Sequence, residues 1–189
     1  MRHAGLRIAL VALILAAGRE VSAQNTIPSD SSEYVIKAGF IYNFAKLVEW
    51  PAAVMGQSNS PLVIAVLGSD SFAEVLDNVV NGKQIDGRAF QVKRMKWKEL
   101  KDCSCHILFV AAQENAHIDE VIQMLKNAAV LTVAETPNFT RRGGIINFTL
   151  QESKVGFEAN VDAARQAGLN ISSRLLGLAR IVQTSMNSR

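Results

Sequence analysis

The sequence is poor in the residues that build metal sites and disulfide scaffolds. Only two cysteines, Cys103 and Cys105, and three histidines occur among its 189 residues. A structural zinc site needs four such ligands in suitable positions, so we predict no metal and no cofactor. A strand would hold the Cα atoms of the two cysteines about 6.6 Å apart, at the upper limit for a disulfide. A bridge would require a bend at the strand entrance, and the sequence leaves the redox state of the thiols open.

The sequence also lacks the short motifs that mark common enzyme classes. It contains no G-x-S-x-G nucleophile elbow, no P-loop and no H-E-x-x-H pair. Neither His106 nor His117 has a neighbouring nucleophile and carboxylate along the chain. We therefore predict that the protein is not an enzyme. A hydrolase is the alternative, and it would need a nucleophile and a base that cluster in space.

Long apolar runs are missing, and the longest one is confined to the N-terminus. Ile8–Ala17 would form about 15 Å of helix, half of a bilayer core. It follows Arg2 and Arg7 and precedes the small-residue site 21–23, a pattern typical of an export signal. We predict that residues 1–23 are a signal peptide, and that the mature chain lies outside the cytoplasm without a membrane span.

A charge excess of either sign is absent once that segment is removed. The predicted mature chain has 17 basic and 16 acidic residues, and no block of Lys and Arg follows. The sequence therefore does not favour nucleic acid as a partner.

Short apolar runs predict one α/β domain over residues 33–185, after a flexible polar leader at 24–32. Apolar runs predict buried strands at Leu62–Leu67, which is rich in β-branched residues, and at Cys105–Ala111. Two further strands are predicted near Phe90–Met95 and at Val130–Ala134. Helices are predicted from the turn after Gly68 to about Val80, and from Ile118 to about Asn127. This alternation indicates a largely parallel sheet covered by helices.

The C-terminal third predicts a different connection. Gly143–Leu150 and Val155–Ala159 flank a polar turn and indicate an antiparallel hairpin. The expected fold is a mixed sheet of about six strands, mostly parallel with this hairpin added, and flanked by helices. A short helix at Asp162–Ala167 and a longer amphipathic helix from Ser172 follow, since Leu175, Leu178 and Val182 have helical spacing.

The stretch Tyr34–Pro51 predicts a helix without a clean polar face. It carries five of the twelve aromatic residues, and its polar side chains do not align. A helix that is apolar nearly all round is buried or meets a partner. Either burial against the protein's own sheet or docking of another chain explains the pattern. The candidate interface residues are Phe40, Tyr42, Phe44 and Trp50.

A few polar residues are candidates for ligand binding. Glu158 and Asn160 share one strand face, and Arg174 lies in the first turn of the last predicted helix, where a cation is unfavourable. Structural pairing and ligand binding both explain them. A pocket would lie around Glu158 and Arg174, or beyond the carboxyl ends of the parallel strands near Gly68, Gln113 and Glu135.

Several segments, in order, resemble the YfiR family of small exported bacterial proteins. The resemblance covers about residues 33–183. The matching stretches are YVIKAGFIYNFAKLVEWP (34–51), PLVIAVLG (61–68), CHILFV (105–110), VLTVAE (130–135), GGIINFTL (143–150), VGFEAN (155–160) and AGLNISSRLLGLAR (167–180).

The resemblance implies a periplasmic regulator without catalytic activity. Such a protein binds the periplasmic domain of an inner-membrane diguanylate cyclase of the YfiN type and holds it inactive, which lowers cyclic di-GMP and biofilm formation. It also implies a six-stranded sheet and a homodimer. The better-known family member has two separated disulfides, and this chain departs from that pattern. The alternative function is a periplasmic small-ligand binding protein.

Overall fold

The centre of the molecule is a sheet flanked by helices on both faces. The computed structural model describes residues 29–184. Within them lie the strands β1 (Val48–Glu49), β2 (Leu62–Leu67), β3 (Gln84–Ile85), β4 (Arg88–Met95), β5 (Ile107–Val110), β6 (Leu131–Ala134), β7 (Ile146–Gln151), β8 (Lys154–Ala159), β9 (Asn170–Ile171) and β10 (Arg180–Ile181). The helices are α1 (Ser29–Leu47), α2 (Asp70–Val80), α3 (Ile118–Leu125), α4 (Val161–Gln166) and α5 (Ser173–Leu176), with 3₁₀ turns at Ala52–Val54, Trp97–Asp102 and Ala112–His117.

The main sheet has the strand order β10-β8-β7-β6-β5-β2-β4-β3. Strands β4, β2, β5, β6 and β7 are parallel to one another, β8 returns antiparallel to β7, and β3 is antiparallel to β4. The predicted mixed sheet with a C-terminal hairpin is confirmed. The described residues add two edge strands of two residues each, β3 and β10.

The core has two parts, because side chains along each buried strand point alternately to the two faces of the sheet. One set of inward side chains, such as Ile64 and Phe109, packs with α1, α2, α4 and α5. The other set, such as Ala65 and Leu108, packs with α3. Successive strand residues point to opposite faces, so a continuously apolar strand requires cover on both sides.

Helix α1 differs from its prediction at both ends. It begins at Ser29, so the last residues of the predicted leader are helical. It ends at Leu47, because Val48 and Glu49 pair with Ile171 and Asn170 of β9. The residue before a proline avoids helical geometry, which accounts for an end ahead of Pro51.

The long C-terminal helix predicted from Ser172 is wrong. Ser172 does cap a helix, but α5 lasts only from Ser173 to Leu176. The chain then extends and β10 joins β8 in parallel, and Val182 N–H donates to the Ala159 carbonyl at 2.9 Å. Leu178 is 70% exposed, so the apparent helical spacing does not bury one stripe.

The predicted signal peptide at 1–23 and the start of the leader lie outside the described residues. Within residues 29–184, no helix combines the length and apolar character needed to cross a bilayer.

Candidate partner interface and the Lys37 cleft

The inner side of α1 is part of the core. Lys37, Ala38, Ile41, Phe44 and Ala45 are buried, at spacings that place them on one side of the helix. The Phe44 ring centroid lies 5.9 Å from that of Phe148 and 5.0 Å from that of Phe157 on the hairpin. Phe44 is fully buried, so this predicted interface residue lies inside the protein's own core.

Two other predicted interface residues of α1 are partly buried. The Phe40 ring lies 5.5 Å from the Phe157 ring. The Tyr42 ring lies 5.7 Å from the Phe90 ring, and the Lys46 and Lys83 ammonium groups lie 5.5 Å and 5.3 Å from its centroid. Both side chains pack on the core at one edge and reach the surface at the other, so they can border an interface without forming its centre.

Trp50, the fourth predicted interface residue, follows α1 and packs on the start of β5. Its indole N–H donates to the His106 carbonyl at 3.1 Å. His106 in turn accepts from Val63 N–H through Nδ1 at 3.0 Å, and its Nε2 lies 3.3 Å from the Val54 carbonyl. These contacts require the neutral Nε2–H tautomer. Burial, aided by the nearby positive charge of Arg88, lowers the pKa of His106 and favours that neutral form.

The two cysteines form a disulfide beside this cluster. Their Cα atoms are 5.6 Å apart. This approach is possible because β5 begins only at Ile107, two residues after the predicted start of the strand at Cys105. The bend that a bridge would require is therefore present, and the thiols left open by the sequence are joined.

The outward side of α1 carries an exposed apolar surface. Val35 is 52% exposed and Ile36 is 48% exposed. Gly39 lies one turn further on the same side, and a Cβ built there would have no described atom within 4 Å beyond its chain neighbours and the nearby backbone of α1. Asn43 continues this side toward the C-terminus and is exposed. We call Val35, Ile36, Gly39 and Asn43 the open face of α1. The predicted interface list missed these residues because it selected aromatics.

A cleft beside the first turns of α1 contains a buried cation. We call it the Lys37 cleft. It measures about 350 Å³ and is lined by Glu33, Tyr34, Lys37, Glu135, Phe148, Thr149 and Leu150. Lys37 Nζ lies 2.5 Å from Glu135 Oε2 and is also paired with Glu33. Burial alone would lower the pKa of Lys37, but the hydrogen bonds and negative charges of Glu135 and Glu33 outweigh it and raise this pKa.

The Lys37 cleft lies beyond the carboxyl end of β6 and beside residues 148–150 of β7, on the side of the sheet where a pocket is predicted. Glu135 lines it, and its Oε1 accepts from Ala112 N–H at 3.1 Å. Gly68 and Gln113 do not line it. Gly68, at φ +86°, instead faces the Glu114 side chain, which leaves no room for a Cβ.

The fold separates two other predicted ligand residues, Glu158 and Arg174. Glu158 is buried, with one carboxylate oxygen paired to Arg180 and the other accepting from Thr140 Oγ1 at 2.7 Å. Arg174 is exposed and has no hydrogen bond or ion pair to the described residues, so Glu158 and Arg174 do not meet. Arg180, six residues further along the chain than Arg174, is the cation that pairs with Glu158.

Asn160 is also held by internal contacts. Its side-chain oxygen accepts from Ala163 N–H at 2.9 Å and caps α4. Its Nδ2 donates to the Thr140 carbonyl and to Thr184 Oγ1, each at 2.8 Å. This arrangement ties the hairpin, the Thr140 loop and the C-terminal strand together, and a ligand role for Asn160 stays a prediction.

The second histidine lacks the neighbours that a hydrolase would need. His117 Nδ1 lies 2.8 Å from Glu114 Oε2, and the ring stacks on Trp97 at 4.3 Å. Among residues 29–184, no hydroxyl or thiol is hydrogen bonded to either His106 or His117. In the same part of the chain, no three His, Cys, Asp or Glu side chains are grouped as metal ligands would be.

Comparison with solved structures identifies a similar fold. A conserved domain protein from Vibrio cholerae O1 biovar El Tor str. N16961 superimposes with a TM-score of 0.55 at 13% sequence identity. The match covers 80% of this chain and 60% of that one, so the chain spans about three fifths of the length of the solved protein. At this identity the likeness concerns the fold. No curated protein matches the chain.

Comparison with family models is more specific. The YfiR/HmsC-like model matches residues 34–180, from the first turns of α1 to the start of β10. This family is periplasmic, it regulates diguanylate cyclase signalling, and it is regulatory rather than catalytic. The match includes every described element except the first residues of α1 and the end of β10. The chain belongs to the YfiR/HmsC-like family.

Proposed function

We propose that this protein binds the periplasmic domain of an inner-membrane diguanylate cyclase and represses it, which lowers cyclic di-GMP and biofilm formation. The export signal predicted at residues 1–23 would bring the chain to the compartment where such a domain is accessible. The family match supports the signalling pathway. The open face of α1 is the surface that we assign to the cyclase.

The observation that carries this assignment is the pair of exposed β-branched side chains on α1. Val35 and Ile36 lie in the first half of a helix whose other side is fully packed. Large apolar side chains that stay half exposed contribute little hydrophobic free energy to the protein's own fold. Covering them with a partner would gain about 25 cal/mol for each Å² removed from water.

Gly39 supports the same surface independently. A glycine in the middle of a helix costs about 1 kcal/mol relative to alanine. Apart from its chain neighbours and the nearby backbone of α1 itself, no described atom lies within 4 Å of the position that its Cβ would take. The protein's own fold therefore does not require a residue without a side chain at position 39. The close approach of a partner's backbone would require one.

The test compares charge insertion on the open face with charge insertion at a matched site. Val35→Glu with Ile36→Glu places carboxylates on the open face, and Met124→Glu places one on α3, across the sheet, where Met124 is 51% exposed. We expect the first variant to lose roughly 30-fold or more in affinity for the cyclase's periplasmic domain and to raise cyclic di-GMP in the host. Met124→Glu should leave both unchanged.

Circular dichroism and thermal melting of both variants provide the folding control. Equal capture by the two variants, with both folded, would remove the open face from the interface. A homodimer is the other predicted occupant of this surface. Light scattering of the mature protein would identify it, because a dimer through the open face would dissociate in the Val35→Glu and Ile36→Glu variant.

The Lys37 cleft favours a second candidate function, the binding of a small periplasmic ligand. Its position beyond the carboxyl end of the parallel strand β6 is common for ligand sites in α/β proteins. Glu33 and Glu135 carry two negative charges against the single charge of Lys37, so the cleft suits a cationic group such as an amine. Thermal-shift screening of amino sugars, amino acids and cell-wall fragments would test this. The absence of any shift at millimolar concentration would reject it.

A further inference from the structure

Strand β4 has an open backbone edge. It is eight residues long, and β2 pairs with its residues 90–95 on one side. On the other side, β3 reaches only Arg88 and Ala89. Beyond Ala89, no strand in the described part of the chain covers this edge.

The hairpin turn determines which backbone groups face outward. Asp86 and Gly87 both have positive φ, as a two-residue turn that fits strand twist requires. Ile85 and Arg88 flank the turn as a hydrogen-bonded pair, so Arg88 directs its N–H and C=O toward β3. The direction of the N–H and C=O groups alternates from one residue of a strand to the next. The N–H and C=O groups of Phe90, Val92 and Arg94 therefore point to the open edge. No group in residues 29–184 hydrogen bonds to these outward N–H and C=O groups.

The two sides of this edge differ in chemistry. Phe90 and Val92 pack against the core beneath α2 and form an apolar strip, and the exposed Arg94 follows them on the same side. Gln91 and Lys93 point to the other side, where they are exposed. An added strand would therefore meet an apolar strip on one side and a polar, basic strip on the other.

The charge around the edge is strongly positive. Lys93, Arg94, Lys96 and Lys98 are all exposed, and the nearest acids along the chain are Asp86 before the edge and Glu99 after it. The Glu99 carboxylate already accepts from Lys96 N–H at 2.8 Å. Charges on an edge strand also prevent self-association, and two copies of this edge would repel each other.

We propose that the open edge of β4 takes up an extended, acidic segment of another protein as an added strand. Main-chain hydrogen bonds to Phe90, Val92 and Arg94 would supply affinity, and Lys93 with its basic neighbours would select acidic residues on one side of the segment. This surface is separate from the open face of α1. It goes beyond the proposed function and stands whether or not the cyclase binds α1.

The probe is an acetylated octapeptide of alternating valine and glutamate, added to the mature protein. Its valines can face the Phe90 and Val92 side while its glutamates face Lys93. Hydrogen exchange followed by NMR at single amides is the measurement. The outward amides of Phe90, Val92 and Arg94 should exchange fast in the free protein and become protected roughly tenfold or more with peptide. The amides of Gln91 and Lys93, which face β2, should be protected in both states.

Two variants test the geometry. Val92→Pro removes one outward N–H and leaves the hydrogen bonds to β2 intact, as proline on an edge strand permits. It should abolish the protection, whereas Val92→Thr should retain it. Arg94→Pro, compared with Arg94→Ala, provides the same test at an exposed side chain if Val92→Pro does not fold.

Controls on the wild-type protein test the preference of the β4 edge for acidic segments and the identity of the molecule that binds there. An octapeptide of alternating valine and lysine should give no protection. Equal protection by both peptides would overturn the acidic selectivity, and no protection by the valine–glutamate peptide would overturn the strand addition. Concentration-dependent protection without peptide would assign the edge to a second copy and overturn the proposal. None of these outcomes depends on cyclase capture.

Discussion

Helices α1 and α3 cover opposite faces of the same sheet, but they differ in how buried and exposed side chains are distributed around the helix. Helix α3 buries Ile118, Val121, Ile122 and Leu125, which is the regular spacing of one apolar stripe. Helix α1 buries a lysine within its stripe and exposes Val35 and Ile36 on its other side. The spacing of α3 therefore identifies its core side, and the spacing of α1 does not.

The difference arises because α1 has three environments and α3 has two. Phe44 lies in the core, Lys37 closes the cleft at the carboxyl edge of the sheet, and Val35 faces outward. A buried cation replaces an apolar residue at one of the inner positions, and apolar residues replace polar ones at the outer positions. The side chains of α1 therefore do not form the single apolar stripe that is typical of a helix packed on a sheet.

The strongest test of this comparison is Phe44→Ala. Phe44 is fully buried against Phe148 and Phe157, so we expect a loss of about 3–5 kcal/mol in the free energy of unfolding. Phe40→Ala should cost clearly less, because Phe40 is only partly buried. Urea titration measures both, and equal costs would contradict the division of α1 into inner and outer sides.

Lys37→Met tests the charge in the inner stripe. The variant leaves the carboxylates of Glu33 and Glu135 without their cation, so unfolding should become easier by roughly 3 kcal/mol. Adding Glu135→Gln to Lys37→Met should recover part of this loss, because it removes one uncompensated charge. If Lys37→Met alone stabilises the protein, the ion pair is dispensable and α1 can bury an ordinary stripe.

The same ion pair predicts a dependence of stability on alkaline pH. The pKa of Lys37 is raised above its ordinary value of 10.5. Its contribution to stability is therefore complete below pH 10.5 and is lost as the pH rises through the higher folded-state pKa. The stability difference between wild type and Lys37→Met should shrink in that range, as urea titrations from about pH 9 upward would measure. A constant difference would contradict the role of the Lys37 charge.

Gly39→Ala has the smallest expected effect and a defined sign. The Cβ meets no described atom within 4 Å beyond its chain neighbours and the nearby backbone of α1, so the free protein should gain about 0.5–1 kcal/mol from higher helix propensity. The melting temperature checks this gain. If the open face binds the cyclase closely at Gly39, affinity should fall in the same variant. A destabilised free protein would show that the chain's own fold requires the glycine.

The buried strands and the hairpin could be predicted from the sequence because each has a local signature. Leu62–Leu67 is apolar at every position, and a strand buried on both faces requires that. The hairpin of β7 and β8 is indicated by alternation around a polar turn, and its turn residues Glu152 and Ser153 both take positive φ. These signals depend on neighbouring residues alone.

The candidate sites could not be predicted in the same way because they depend on distant parts of the chain. Lys37 meets Glu135 across 98 positions. Glu158 meets Arg180 rather than Arg174 because the chain after Leu176 extends into β10, and local spacing alone favoured a helix there. The exposure of Val35 and Ile36 cannot be predicted from their residue types, since valine and isoleucine are also common in a buried core.

The last strand and the residues after it complete the polar contacts at the end of the hairpin. Glu158 lies within the hairpin and its carboxylate is paired with Arg180, and Asn160 donates to Thr184 Oγ1. A chain lacking these final residues would hold an uncompensated carboxylate in its interior, which is strongly unfavourable. The contacts of Glu158 and Asn160 are therefore completed by residues that lie 22 and 24 positions further along the chain.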